Sequence, residues 1–150
     1  VAPVFDHVVY QERLAAIDQR DGFVLDGRHT SAVATFRPAL ALWAVVQSIP
    51  EPGFAIVGAG IRDFPADAGY PTLLAQYRNG ERLQSFSPGD ISISRANDQH
   101  GFLPTAGLDL AVGDVLKFGI SHPCTAFDKW SVLFGVDDND RITRAIRTYF

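Results

Sequence analysis

The sequence predicts a mainly β domain, in the form of an all-β barrel or sandwich. Short apolar runs recur along the chain, and turn-forming pairs such as Asp26-Gly27, Asn79-Gly80 and Gly113-Asp114 separate them. Counting the runs gives about eight short strands and at most one helix, which is typical of all-β folds. With 150 residues the chain has room for one domain with its own core, because a domain of this size buries about 70% of the surface of its unfolded chain.

The beginning of the chain is expected to differ from the rest. Apolar residues such as Val8 and Ile17 stand among charged residues at a partly helical spacing, which predicts a short helix within residues 4–17. The turn pair Asp21-Gly22 follows, and residues 23–25 then form the first predicted strand. From this point onwards β-structure is expected to dominate.

The longest apolar run covers residues 36–49. Its alanines would suit a helix, but its β-branched end and the break at residues 50–53 favour a strand that is buried on both faces. Residues 54–57 form another short apolar run. The Gly58-Ala59-Gly60 sequence after it marks either a tight backbone approach or a simple turn, and a phosphate-binding loop would need a third glycine. A simple turn is favoured, and the polar, proline-broken residues 62–71 are expected to form a loop.

The second half of the chain repeats the alternation of strand and turn. Residues 91–94 alternate strictly between apolar and polar side chains, which predicts a half-buried strand. The Gly113-Asp114 turn is expected to lead into a strand that ends near Ile120, and the acidic turn at residues 137–140 is expected to be solvated. The other predicted strands are residues 72–77, 83–86, 130–136 and 141–150.

Charge and composition argue against several classes of protein. The chain has 17 acidic and 13 basic residues, a net charge of -4 and no basic block, so no nucleic-acid partner is expected. No apolar run is long enough to cross a membrane, and the start lacks the pattern of a secretory signal, which indicates a cytoplasmic protein without a membrane partner. The single cysteine cannot form an internal disulfide, in agreement with a reducing compartment.

That cysteine lies in the segment Ser121-His122-Pro123-Cys124. If the segment is extended, the side chains of His122 and Cys124 leave the same face and can converge on one zinc ion. Zinc accepts thiolate and imidazole ligands, and two protein ligands leave positions open for water or substrate. A lone cysteine beside a histidine is, however, more often a small buried hydrophobe near a hydrogen-bonded imidazole. The residues alone leave both interpretations open.

Three blocks of residues carry a resemblance to a known family. They are Asn97-Asp98-Gln99-His100-Gly101, Leu110-Ala111-Val112-Gly113-Asp114, and Ser121-His122-Pro123-Cys124 with Asp128. They resemble the Ser-x-Glu-His-Gly, Leu-x-Val-Gly-Asp and Ser-His-x-Cys segments of the D-serine dehydratase, D-threonine aldolase and amino-acid deaminase group. These are pyridoxal-phosphate (PLP) enzymes built like alanine racemase. Further upstream, the deaminase branch is matched by Arg37-Pro38-Ala39-Leu40 with Trp43, Pro52-Gly53 and Asp67-Ala68-Gly69.

The resemblance implies a metal site and a reaction. In this group a histidine and a cysteine two residues apart bind zinc beside the cofactor, and the corresponding residues are His122 and Cys124. The aldolase branch has aspartate at the second position, so the cysteine favours β-elimination from a D-serine-like substrate over aldol cleavage. Zinc would polarise the β-hydroxyl group while PLP accepts the electrons of the Cα–H bond. His100 is the candidate catalytic residue, either lining the pocket and orienting a ligand or forming a structural hydrogen bond in its loop.

The resemblance also implies a missing partner domain. The PLP lysine of this group lies in an N-terminal (β/α)8 barrel, whereas the only lysines here are Lys117 and Lys129, which are expected on the surface at strand edges. Residues 1–20 are therefore expected to be the tail of that barrel and residues 21–150 the β domain. The domain alone is not expected to bind PLP covalently or to turn over substrate. The expected partners are an amino-acid substrate, the barrel domain and a second copy in a homodimer.

Two other functions remain open at this stage. One is a D-threonine-aldolase-type lyase domain, and the other is a β-barrel module that serves only in dimerisation or ligand binding. Among the remaining polar residues, Asp128 is expected to be a cap or a hydrogen-bond acceptor behind the metal site. Asp63 and Asp67 are expected to be loop residues, with a smaller chance of facing the active site. Gln99 stands where the family has an acidic residue before the histidine.

Overall fold

The structure is a computed structural model, and it describes residues 8–11, 24–25, 28–29, 40–105 and 107–149. Within these ranges it contains twelve strands and one four-residue helix. The elements are β1 Val8–Gln11, β2 Val24–Leu25, β3 Arg28–His29, β4 Leu40–Glu51, β5 Phe54–Val57, β6 Thr72–Arg78, β7 Glu81–Ser85, β8 Arg95–Ala96, β9 Gly101–Pro104, β10 Val115–Gly119, α1 Ala126–Lys129, β11 Val132–Val136 and β12 Ile142–Arg147. The predicted mainly β fold is confirmed.

The start of the chain differs from the prediction. Val8–Gln11 is a strand, not part of a helix, and it pairs with β4 and β11 in the main sheet. Pairing on both sides gives the backbone of this segment hydrogen-bond partners, whereas a short isolated helix is marginal in water. The rest of the predicted helix lies outside the described residues, as do most of residues 1–20. The predicted strand near Leu25 is confirmed as β2, which pairs with β3.

Six strand segments close into a ring. β4 pairs with β5, β5 with β9, and β9 with β8. The chain just before β8 reaches β6 through a bridge between Ser92 and Thr72, and β6 pairs with β10, which returns to β4. Because the pairings return to the strand where they began, this part of the fold is a barrel, which is closed by the single bridge between Ser92 and Thr72.

The long strand β4 belongs both to the barrel and to a side extension, which consists of β1, β11 and β12. On one face Leu42, Ala44 and Val46 are almost fully buried in the barrel core. On the other face Ala41 and Trp43 form a second, smaller cluster with Val136 of β11. The prediction of a strand buried on both faces is therefore confirmed for the first half of β4, whereas its second half, from residue 47 onwards, is largely exposed.

The alternating residues 91–94 do not form the predicted strand. Ile93 is buried at 2% exposure, but the segment changes partner within a few residues. The Ile93 amide bonds the carbonyl of Pro71 and the Ser94 amide bonds that of Phe102, so the two ends of the segment face different strands. An alternating pattern reports which side chains are buried, and it does not reveal such a change of partner. Strand β9 and helix α1 were not predicted at all.

The environment of Lys117 overturns the expectation of a surface lysine. It lies in the middle of the sheet on β10, with 8% of the residue exposed, and its Nζ atom is 2.6 Å from Oδ1 of Asp140. Asp140 was expected to be a solvated turn residue, yet its side chain is only 5% exposed. Lys129 is exposed as expected, but it lies in α1 and not on a strand. The attraction between the two opposite charges offsets the free-energy cost of removing each of them from water.

The described residues include no helix of the length and apolar character needed to span a membrane.

Candidate metal centre and adjoining clefts

His122 and Cys124 lie in the turn between β10 and α1. The strand ends at Gly119, and Pro123 has no amide hydrogen with which to continue a ladder. The amide of Ala126 then bonds the carbonyl of Pro123 at 3.0 Å, which starts the helix. The segment bends and turns here, so the condition of an extended segment is not met, and strand alternation does not determine where the imidazole and the thiol point. The predicted position of both residues just beyond a strand is confirmed.

A distant loop holds this turn in place. The Ser121 hydroxyl donates a hydrogen bond of 2.6 Å to the carbonyl of Gly69. Next to it, Nδ1 of His122 contacts Oδ2 of Asp67. The two contacts join segments that are more than fifty residues apart in the chain, since the residue numbers of His122 and Asp67 differ by 55. The Asp67-Ala68-Gly69 block and the Ser121-His122-Pro123-Cys124 block thus meet in space.

The Asp67 carboxylate is the acceptor behind His122. Its hydrogen bond with His122 lowers the pKa of Asp67 below the ordinary value of 3.8. Asp128, which was expected to be either a cap or an acceptor behind the metal site, is exposed in α1. Sequence reasoning had treated Asp67 chiefly as a loop residue. The signal that could have found it was the Asp67-Ala68-Gly69 block itself, which already matched the deaminase branch.

The donor types in this turn, an imidazole and a thiol, are those that zinc prefers. Carboxylate contact at Nδ1 leaves Nε2 of His122 as the ring nitrogen for a metal, the usual arrangement for a ligating histidine. Cys124 is an exposed free cysteine two residues further on. Within the described part of the chain, no group of three or more His, Cys, Asp and Glu side chains is arranged to hold a metal ion. Any metal here would depend on these two donors plus water, substrate or groups from elsewhere.

A cleft of about 360 Å³ opens beside the turn. Ser121 and Gly69 line it, together with Tyr70, Gly89 and Ile93. Its volume lies within the range of small-molecule sites, about 300–1,000 Å³. A small molecule could therefore occupy the cleft that Ser121 lines.

His100 lies beside a second cleft, of about 240 Å³. Asp63, Trp43 and Trp130 also line this cleft, and the Trp130 indole donates a hydrogen bond of 2.7 Å to the Asp63 carbonyl. His100 itself is exposed. Of its two predicted roles, the structure places the side chain at a pocket wall, and its part in catalysis stays a prediction.

The loop that carries His100 is clamped to the turn after β5. The amides of Ile61 and Arg62 bond the carbonyls of Asn97 and Asp98 at 2.9 and 3.0 Å. A Cβ atom on Gly60 would lie 2.3 Å from the Asn97 carbonyl oxygen, so only glycine allows the two backbones to approach this closely. The sequence had suggested a tight approach here but favoured a simple turn, and both features are present.

Residues 39–136 match the family described as "Putative serine dehydratase domain". The chain belongs to this family. The match includes both histidine-bearing blocks, at residues 97–101 and 121–124. No curated protein sequence matches the chain significantly.

Solved structures show the same fold. D-threonine aldolase from Filomicrobium marinum superposes with a TM-score of 0.62 and 24% identity, over 79% of this chain and 29% of that one. D-threo-3-hydroxyaspartate dehydratase from Delftia sp. HT23 gives 0.56 and 21%, over 75% and 33%. An alanine-racemase-like protein from Idiomarina loihiensis gives 0.55 and 16%, over 73% and 31%. The fold is that of the β domain of alanine-racemase-like enzymes, and the chain spans about a third of the length of these proteins.

Two variants of D-threo-3-hydroxyaspartate dehydratase also match. In one a histidine is replaced by alanine, and in the other a cysteine two positions later is replaced by alanine, in a form described as metal-free. The spacing of the two replaced residues in that protein equals the spacing of His122 and Cys124 here.

Proposed function

We propose that the chain is the β domain of a zinc- and PLP-dependent D-amino-acid dehydratase that eliminates the β-hydroxyl group of D-serine-like substrates. His122 and Cys124 would be its zinc ligands, and PLP would be bound by a separate (β/α)8 domain. One observation carries the proposal: the contact of His122 Nδ1 with Asp67, which leaves Nε2 for a metal two residues before an exposed thiol. The family membership of residues 39–136 supports it.

The donor set suits zinc because thiolate and imidazole are both preferred zinc ligands, whereas magnesium and calcium prefer oxygen. When bound, zinc would polarise the substrate hydroxyl and PLP would accept the electrons released at Cα. With only two protein ligands, the metal would keep positions open for the hydroxyl oxygen. The cleft next to Ser121 would hold the body of the substrate.

The residues of this chain would orient the metal and the substrate, and they would not perform the elimination alone. Ser121 fixes the turn through the Gly69 carbonyl, so that His122 starts from a defined backbone position. His100 is proposed as a second functional side chain, at the cleft of about 240 Å³, where an imidazole can orient a ligand or transfer a proton. Without the PLP domain the chain is proposed to be inactive. A homodimer remains part of the proposal.

An aldolase function is the second candidate. D-threonine aldolase gives a TM-score of 0.62 to this chain, against 0.56 for the dehydratase. Against it stands Cys124, since the resemblance places aspartate at this position in the aldolase branch. A module that serves only in association is the third candidate, and it predicts no metal affinity at all.

Metal binding by the purified chain tests the proposal. The chain is freed of metal with a chelator, dialysed against zinc, and analysed for bound zinc by mass spectrometry. We expect about one zinc per chain, and loss of binding in both His122→Ala and Cys124→Ala. His100→Ala is the matched control, because it removes an exposed imidazole elsewhere and should keep the zinc. Absence of zinc from the wild-type chain, or binding that survives both ligand substitutions, would contradict the metal site.

A further inference from the structure

Among the described residues, Asp67 is the one carboxylate in contact with the His122 ring. The loop that carries Asp67 is held in place by hydrogen bonds. The amide of Gly69 bonds the carbonyl of Ala66 at 3.2 Å, which forms a turn around Asp67. The Gly69 carbonyl in turn accepts the hydrogen bond from Ser121. At the other end of the loop Phe64 is fully buried. The carboxylate is therefore delivered to His122 by a segment that is anchored on both sides.

The contact determines which ring nitrogen carries hydrogen. An ionised carboxylate can only accept hydrogen bonds, so Nδ1 of His122 must be the donor. In the neutral imidazole only one nitrogen carries hydrogen, and Nε2 is then left with a free lone pair. Metal ions bind that lone pair.

The pair has little to offer as a stabilising ion pair. The side chains of His122 and Asp67 are 38% and 49% exposed, and ion pairs this open to solvent contribute little to stability. The value of the contact must therefore lie in orientation. That distinction makes the role testable, because an orienting carboxylate changes metal affinity far more than it changes stability.

We propose that Asp67 is a positioning residue, which holds His122 in the Nδ1–H tautomer and directs Nε2 towards the metal. The inference rests on the proposed metal site and extends it to a residue 55 positions earlier in the chain. Ser121 supports the same arrangement by tying its own backbone to the Asp67 loop.

The tautomer can be measured without any metal. Long-range ¹H–¹⁵N NMR spectra of the metal-free chain, recorded at a pH where the imidazole is neutral, distinguish the two ring nitrogens. We expect the Nδ1–H form for His122 in the wild type and a shift towards the Nε2–H form in Asp67→Ala. Asp67→Asn keeps a side-chain carbonyl as acceptor, so it should retain part of the Nδ1–H form. An unchanged tautomer in Asp67→Ala overturns the inference.

Metal affinity supplies the second readout. Cobalt titration of the chain follows the thiolate-to-cobalt absorption band. We expect Asp67→Ala to weaken binding about 10- to 100-fold and Asp67→Asn to weaken it less. Asp128→Ala is the matched control, since it removes an exposed carboxylate four residues after Cys124 without touching His122. If Asp128→Ala weakens binding as much as Asp67→Ala, the effect is one of net charge and the inference fails.

The two proposals fail in different ways. A wild-type chain that shows the Nδ1–H tautomer but binds no metal contradicts the proposed metal site. A chain that binds cobalt equally well with and without Asp67 contradicts only the positioning role. Unfolding by urea checks that Asp67→Ala remains folded, and the small stability change expected for an exposed pair keeps the comparison valid.

Discussion

Lys117 and Asp140 form an ion pair that is almost completely shielded from water. The Nζ and Oδ1 atoms are 2.6 Å apart, and the side chains are 10% and 5% exposed. The pair joins the middle of β10 to the turn between β11 and β12, and Lys117 also lies over the Trp43 ring at 4.8 Å. Arg82 and Tyr77 contact the same carboxylate. One acidic residue thus ties the barrel to its side extension.

Removal of the Asp140 charge is predicted to destabilise the fold. Asp140→Asn leaves Lys117 buried without an anionic partner and should lower the free energy of unfolding by about 3 kcal/mol. Asparagine tolerates the positive φ of 58° at this position, so backbone strain does not obscure the result. Lys117→Met should have a smaller effect, because Arg82 and Tyr77 still satisfy the carboxylate. Urea unfolding measures both, and an Asp140→Asn protein as stable as the wild type would refute the prediction.

Acid sensitivity is predicted to depend in part on Asp114. Burial by itself would raise the pKa of this 1% exposed residue, but hydrogen bonds from Arg78, the Ala111 amide and Gln76 lower the pKa below its ordinary value of 3.8. A lowered native-state pKa stabilises the fold at pH values above the ordinary one, and this stabilisation is lost as the pH falls through the native value.

The Asp114 prediction is tested by the free energy of unfolding measured from neutral pH down to about pH 2. Asp114→Asn should be less stable than the wild type at neutral pH and should show a shallower loss of stability below about pH 4. The exposed Asp128→Asn serves as the control and should keep the wild-type slope. Identical slopes in the wild type and Asp114→Asn would show that other groups govern the acid transition.

Gly60 is predicted to be irreplaceable by alanine. The added Cβ would meet the backbone of Asn97 and Asp98 at 2.3 to 2.5 Å, so the His100 loop would have to move, at a cost of about 2 kcal/mol. Gly58→Ala is the matched control, because its Cβ would meet only the movable end of the Gln47 side chain. Hydrogen exchange of the loop amides should rise in Gly60→Ala and stay unchanged in Gly58→Ala. Equal exchange in the two variants would argue against the backbone clamp.

Metal preference is predicted to follow the residue at position 124. Cys124→Asp replaces a soft thiolate by a hard carboxylate, so the chain should lose zinc affinity relative to manganese or magnesium. Cys124→Ser provides the control, since a neutral hydroxyl should weaken all of these metals. Competition dialysis with metal analysis gives the ratio directly. A Cys124→Asp protein with the wild-type preference for zinc would mean that the thiol is not a ligand.

Much of the fold could be predicted from the local sequence. Asn79-Gly80 predicted a hairpin turn, and both residues have the positive φ of such a turn, 54° and 84°. Gly113-Asp114 was expected to lead into a strand, and β10 begins at Val115. These predictions succeeded because the turn chemistry and the side-chain alternation are properties of a few adjacent residues.

The errors arose where distant segments compete for the same residues. Residues 91–94 alternate like a strand, but two different partners share the segment. Lys117 was predicted to be a surface lysine because its partner Asp140 is distant in the sequence, and no local pattern indicates that the two pair. The four-residue helix α1 is too short to leave a periodic signal.

By itself, the sequence determined the class of fold, the family blocks and the identity of the candidate ligands His122 and Cys124. Only the tertiary structure decided which carboxylate lies behind the histidine. The fold brings Asp67 against His122, and Ser121 against the Gly69 carbonyl, although these segments are far apart in the chain. The physical reason is that hydrogen-bond partners are selected by packing over long loops. Residue types and spacings limit which atoms can bind, but they do not bring those atoms together.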